Sequence, residues 1–211
     1  MLSCSHIAKS AWVLSEKFGS SDEKTQLCTN YYMGAGHLEP YQLNASQLRK
    51  GFASGLSSGG ANTAFFCAAH GIHFSIISAD RDLTSLLKEI DYYLLLLGTY
   101  KNELAKKFIL CYRETVSTLI DKGDKTGIEA KLSQSDVETC DLAQGNKLQE
   151  AFYFQRMFRN YWRGYTERFH YYTQKYLSIS NGRFFYNYNI KFYQGEEIHS
   201  FERLFHKRPL Y

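Results

Sequence analysis

Residues 83–98 read LTSLLKEIDYYLLLLG, and the spacing of their apolar positions decides the fold class. Leu83, Leu86, Leu87, Ile90, Leu94 and Leu97 recur at steps of three and four, which places all six on one stripe of a helix. Asp80 stands where an N-cap would accept the free amides of the first turn, and Gly98 stands where a left-handed residue would close the last. Beyond Gly98 a second series, Leu104, Phe108, Cys111, Thr115 and Leu119, repeats at four, three, four and four. A joint of one or two residues at Gly98 and Thr99 leaves room only for antiparallel packing, so the pair is expected to be a helical hairpin.

The same punctuation continues on both sides. After Pro40, Asn44 and Gln47 have the spacing of a capping box, and Leu48, Phe52 and Leu56 keep to one helical face. Asn44 also opens a formal glycosylation sequon; the capping reading is preferred, because no secretory segment precedes it. Gly59 and Gly60 break that helix, and 61–78 form the next. Its small residues Ala61, Ala64, Ala68 and Gly71 let a neighbouring backbone approach, beside the bulk of Phe65, Ile72 and Ile76. Later stripes are Ala151, Phe154, Phe158, Tyr161 and Tyr165, ended by Gly164; then Phe169, Tyr172 and Tyr176; then a turn at Asn181 and Gly182 followed by Phe185, Tyr188 and Phe192. No alternating strand of convincing length appears. The chain is expected to be all-α, with antiparallel hairpins stacked side by side.

Bulk properties fit one unit of 211 residues with a real core. Only two prolines, Pro40 and Pro209, interrupt it. Residues 19–37 are polar and glycine-bearing and read as a connection with a short helix around Gln26 to Tyr32, so the expected division is an N-terminal helix and linker over 1–37 and a helical domain over 38–211. A polar insertion is expected at 121–145. The first 18 residues read as the end of a helix from a longer parent, or as a frayed terminus, rather than as a transit peptide. The longest apolar run, Tyr92 to Leu97, is far below the roughly 20 residues of a membrane span. Five cysteines, an odd number without paired spacing, point to a reduced, cytoplasmic setting.

The net charge of +4 is concentrated at one end. Residues 145–211 hold 11 Lys and Arg against 5 Asp and Glu, while residues 1–144 hold 14 against 16. Within the basic third, Arg156, Arg159 and Arg163 lie on the side of their helix opposite the aromatic stripe, and Arg168, Tyr171 and Lys175 continue the basic, aromatic pattern. These six are the candidate interaction surface, and the arginine row is expected on a solvated face. Arginines with exposed rings also supply phosphate contacts and stacking platforms, so single-stranded RNA is the alternative partner; exposed rings at Phe152, Tyr171 and Tyr186 beside Arg159 and Arg163 would mark it.

Catalytic chemistry finds little support. Cys67, His70 and His73 are the nearest approach to a metal set, but His73 is turned about 120° from Cys67 on one helix, so a single ion could not take all three. The seven histidines are scattered without a nucleophile signature. Asp80, Asp82, Glu89 and Asp91 belong to a helix start and a wet face. No enzyme activity, metal or cofactor is expected.

Residues 48–60, LRKGFASGLSSGG, followed by AFFCAAH at 64–70, resemble the repeat of tetratricopeptide-like regions, in which a helix, Gly-Leu and a small turn lead into an alanine-rich helix. More narrowly, they resemble such regions downstream of AAA-type ATPase modules in large multidomain signalling proteins of diatoms and bacteria. LTSLLKEID at 83–91 with YKNELA at 100–105, YWRGY at 161–165 with QKYL at 174–177, and NIKFYQG at 189–195 resemble the following helices of that family. The likeness covers residues 38–195. It implies a stacked α-α superhelix with a regulatory or sensory role, binding a protein, a peptide or other domains of a parent polypeptide. The family's Gly-x-x-x-x-Gly-Lys-Ser/Thr loop is absent, so no ATP-binding apparatus is expected in these residues.

Overall fold

The computed structural model describes residues 4–34, 39–121 and 146–179. They form eight helices and, among the described residues, no strand: α1 (Cys4–Phe18), α2 (Ser21–Gly34), α3 (Tyr41–Ser57), α4 (Ala61–Ser78), α5 (Leu83–Tyr100), α6 (Glu103–Ile120), α7 (Asn146–Trp162) and α8 (Thr166–Ile179). All of the expected insertion at 121–145 except Asp121, the turn at Asn181 and the helix after it lie outside the described residues. Among the described residues no helix is long and apolar enough to cross a membrane.

The tightest packing joins α2, α3 and α4. Gly59, at φ +82, lets the chain leave α3 in the left-handed region that other residues avoid, and Gly60 precedes the first turn of α4. A Cβ built on Gly55 would stand 2.8 Å from the Ala64 Cβ and 2.8 Å from the Thr25 Cγ2, so three helices meet where side chains are smallest. Ala64 and Ala68 are buried, as the small-residue pattern of α4 requires. Phe52 and Phe65 fill the space beside them, edge to face at 5.6 Å.

The helix expected around Gln26 to Tyr32 is present but longer, running from Ser21 to Gly34, so most of the expected connection is a packed element. Ser20 and Glu23 make the reciprocal bonds of a capping box, the Ser20 amide donating to Glu23 Oε2 at 2.7 Å and the Glu23 amide to Ser20 Oγ at 3.3 Å. Thr25, Cys28 and Tyr31 then bury one narrow stripe at a spacing of three. Thr25 reads as polar in a sequence and packs here through its methyl group, which is why polarity alone misjudges the segment.

The α5–α6 hairpin forms, with shifted ends. Asp82, not Asp80, caps α5: its Oδ1 accepts the Ser85 amide at 2.8 Å. Asp80 is instead held by Arg49 at 3.0 Å. Gly98 lies inside α5, which runs to Tyr100 and stops at Lys101, left-handed at φ 53 with its amide bonded to the Leu97 carbonyl. Asn102 then caps α6 by accepting the Ala105 amide at 3.0 Å. The joint is still two residues long, and Arg113 of α6 reaches Asp91 of α5 at 2.6 Å across the hairpin.

On α5 the fully buried positions are Leu86, Ile90, Tyr93 and Leu97, with Leu83, Leu87 and Leu94 at the margin. The α6 stripe is rotated by one residue from the expected series. Ala105, Ile109, Tyr112 and Val116 are buried; of the expected series Thr115 is buried as well, whereas Leu104, Phe108, Cys111 and Leu119 are half-buried. A continuous apolar run, Phe108 to Cys111, allows either register. Likewise Asn44 does not cap α3, which begins after Pro40 without a side-chain cap; Asn44 is buried one turn inside.

Gly164, at φ +70, ends the turn between α7 and α8, and the Tyr165 amide bonds back to the Asn160 carbonyl at 2.9 Å. Aromatic contacts then join α8 to α7: Tyr161 meets Phe169 at 5.6 Å and Phe154 meets Tyr176 at 6.1 Å. α6 packs on both α4 and α7, so the core runs from one hairpin to the next.

Candidate interaction surface

From Leu148 to Arg163 no residue of α7 and its turn is exposed. The arginine row expected to face water is inside: Arg156 is 4% and Arg159 3% exposed. Both guanidiniums meet one carboxylate oxygen of Glu114 on α6, Arg156 Nη2 at 3.1 Å and Arg159 through Nη1. Arg156 also lies over the Phe152 ring, 4.8 Å from its centroid, and Phe152 is itself buried. Arg163 donates through Nη2 to the carbonyls of Thr118 and Asp121, closing the last turn of α6 where helix carbonyls lack partners. The row is a strut between α6 and α7. The solvated-face expectation fails because its partners sit 42 to 45 residues earlier in the chain, where no local pattern reveals them.

The other three candidates do face outward. Arg168, Tyr171 and Lys175, at steps of three and four, share one face of α8, and all three are exposed. The opposite face, Phe169, Thr173 and Tyr176, is buried. The Arg168 guanidinium stands 5.7 Å from the Tyr165 ring centroid, and the Lys175 ammonium stands 5.7 Å from that of Tyr171. Cations held beside phenol rings offer flat apolar area together with positive charge. Of the rings that would mark an RNA surface, Tyr171 is exposed, Phe152 is buried, and Tyr186 lies outside the described residues.

A second charged cluster was not legible in the sequence. Arg49 of α3 donates to Glu89 Oε1 at 3.0 Å, to Asp80 Oδ2 at 3.0 Å and to Ser75 Oγ at 2.5 Å. Arg81 bonds the other oxygen of Glu89 at 2.7 Å, and the Tyr93 hydroxyl donates to Glu89 Oε1 at 2.7 Å. Burial first, and then the Glu89 charge, push the Tyr93 hydroxyl above its ordinary range. Both carboxylates are engaged by guanidiniums, so the cluster joins α3, α4 and α5 rather than presenting a free base. Its only sequence signal is an arginine beside the apolar stripe of α3.

Cys67, His70 and His73 do not converge. Cys67 faces α2, where its thiol donates to the Thr25 carbonyl at 3.8 Å. His73 is enclosed by the rings of Phe74, Tyr112 and Phe154, and its Nδ1 is 3.4 Å from Gln155 Nε2. Burial, aided by the charge of His70, pushes its pKa down to about 3. Among the described residues no three His, Cys, Asp or Glu side chains form a group able to hold a metal ion.

The described residues thus define an all-helical fold built from consecutive packed helices. Comparisons with known protein families, with characterised proteins and with solved structures return no match for this chain.

Proposed function

We propose that this chain is a non-catalytic protein-interaction scaffold, a tetratricopeptide-like stack of hairpins that engages a segment of a partner protein, or of a parent polypeptide, along α8. The outward stripe of Arg168, Tyr171 and Lys175 carries the proposal, because α8 spends its opposite face on α7 and leaves a ring between two cations turned to solvent. Arg and Tyr are the residue types that dominate the energetics of interfaces. The order in which helices pack, α3 with α4, α5 with α6, α7 with α8, and α6 on both α4 and α7, supports stacking by hairpins. The resemblance to regions beside AAA-type ATPases supports a regulatory role in signalling. The single-stranded RNA reading is weakened by the burial of Arg156 and Arg159, which leaves fewer cations for phosphates.

The test is capture of partners by the purified protein, compared with the variant Arg168→Glu, Tyr171→Ala, Lys175→Glu. Partners retained by the wild type and lost by the folded variant support the scaffold. Filter binding to single-stranded RNA at two salt concentrations separates the readings: affinity that falls steeply with salt and vanishes in the variant favours the nucleic-acid partner instead.

A further inference from the structure

Gly51 of α3 faces the thiols of two other helices. A Cβ built there would stand 2.9 Å from the sulfur of Cys28 on α2 and 3.0 Å from the sulfur of Cys67 on α4. Two atoms that close to one point cannot be farther apart than about twice that distance, and the space between them is the volume that glycine leaves open. Each thiol also donates to the backbone of a neighbouring helix, Cys28 to the Gln47 carbonyl at 3.4 Å and Cys67 to the Thr25 carbonyl at 3.8 Å. The two sulfurs are therefore aimed across the α2–α3–α4 junction.

We propose that Cys28 and Cys67 are a disulfide-forming pair which, when the protein meets a hydroperoxide, clips α2 covalently to α4. The thiols are 1% and 0% exposed, so oxidation begins when α2 lifts from its seat. Contact between the two thiols, and then burial, raise the Cys28 pKa above the ordinary thiol range while α2 is docked; exposure restores it. In the open state one thiolate sulfur attacks the peroxide O–O bond, forming a sulfenic acid and releasing the other oxygen, with a proton, as water or an alcohol. When α2 docks again, the second thiol, losing its proton, attacks the sulfenic sulfur; the S–S bond forms and hydroxide leaves, taking that proton, as water. The two sulfurs supply the two electrons that reduce the peroxide.

The sequence makes the test clean, because trypsin leaves Cys28 on residues 25–49 and Cys67 on residues 51–81, each the only cysteine of its peptide. The full chain is treated with hydrogen peroxide, with and without low urea, then alkylated in denaturant and digested. The expected product is the linked pair 25–49 and 51–81, lighter by two hydrogens than the separate thiol peptides, cleaved by dithiothreitol and absent from Cys28→Ser. Cys111→Ser, which leaves the junction untouched, forms it as the wild type does. Hydrogen exchange of α2 amides in the oxidised chain is expected to slow by about tenfold or more, since the clip opposes undocking. The proposal is overturned if the two peptides are recovered unlinked, over-oxidised, or joined to other cysteines. It is equally overturned if the linked chain exchanges its α2 amides as fast as the reduced one.

Discussion

Arg159 of α7 is ion-paired to Glu114 of α6 inside the protein, where Arg156 shares the same carboxylate oxygen. One negative charge thus serves two guanidiniums that have almost no access to water. Removing a partner from such a pair leaves buried charge uncompensated, at a cost of about 3–5 kcal/mol. Glu114→Ala is expected to lose about 3 kcal/mol in urea unfolding. Arg113→Ala, which breaks a pair whose side chains are 44% and 48% exposed, should change stability by less than about 1 kcal/mol. Equal effects of the two substitutions would contradict the burial of the α7 arginines.

Gly55 and Gly98 are both helical glycines, and their surroundings give opposite predictions. At Gly55 a new Cβ meets the Ala64 Cβ at 2.8 Å and the Ala64 Cα at 3.2 Å, so Gly55→Ala forces α3 and α4 apart and should cost about 1–3 kcal/mol. At Gly98 nothing lies within 4 Å, and Gly98→Ala should stabilise by about 0.5–1 kcal/mol through helix propensity alone. Thermal unfolding of the two variants decides the matter. A destabilised Gly98→Ala would mean that the hairpin turns there after all.

The pH dependence follows from His73. Its folded-state pKa is pushed down to about 3, against an ordinary value of 6.5, so between those values the unfolded chain binds the proton and the folded protein does not. Stability is therefore complete above pH 6.5 and is lost as the pH falls toward 3. At pH 5 this histidine alone accounts for a loss of about 2 kcal/mol. His70, pushed down to about 4 by burial, acts in the same direction. Urea unfolding at pH 7, 6 and 5 should show the decline, and His73→Asn, which keeps a partner for Gln155, should flatten it. An equal slope in wild type and variant would rule out the neutral, enclosed imidazole.

The α8 surface carries the opposite expectation for stability. Substituting Arg168, Tyr171 and Lys175 together removes no buried contact, so the unfolding free energy should move by no more than about 1 kcal/mol while partner capture is lost. Circular dichroism melts of the triple variant measure the first half of that statement. A collapse of the fold would place these side chains in the core.

Punctuation by glycine was the most readable part of the sequence. The break at Gly59 and Gly60, the span of α4 and the stop at Gly164 follow from residues that tolerate positive φ or end a helix locally. Gly98 misled because a helix accepts glycine where nothing presses on it, while Lys101 took the left-handed position that glycine usually fills. Burial of charge was unreadable for a different reason. Arg156, Arg159 and Arg49 pair with carboxylates on other helices or their connections, 31 to 45 residues away, and a periodic pattern assigns any arginine to water. Of the candidate surface, the α8 half could be read because its partner face, Phe169 and Tyr176, is plainly apolar. The α7 half could not, since α7 has no wet side between Leu148 and Asn160.

That enclosure has a consequence for how uniquely α7 can seat. A cylinder dressed with rings on several sides has many ways to sit among other rings, all similar in contact area. Glu114 removes that freedom. Rolling α7 by one residue, about 100° about its axis, would strand two guanidiniums against hydrocarbon and leave a carboxylate with no counterion. The salt link acts as a keyway, admitting one angular setting of the shaft and rejecting its neighbours.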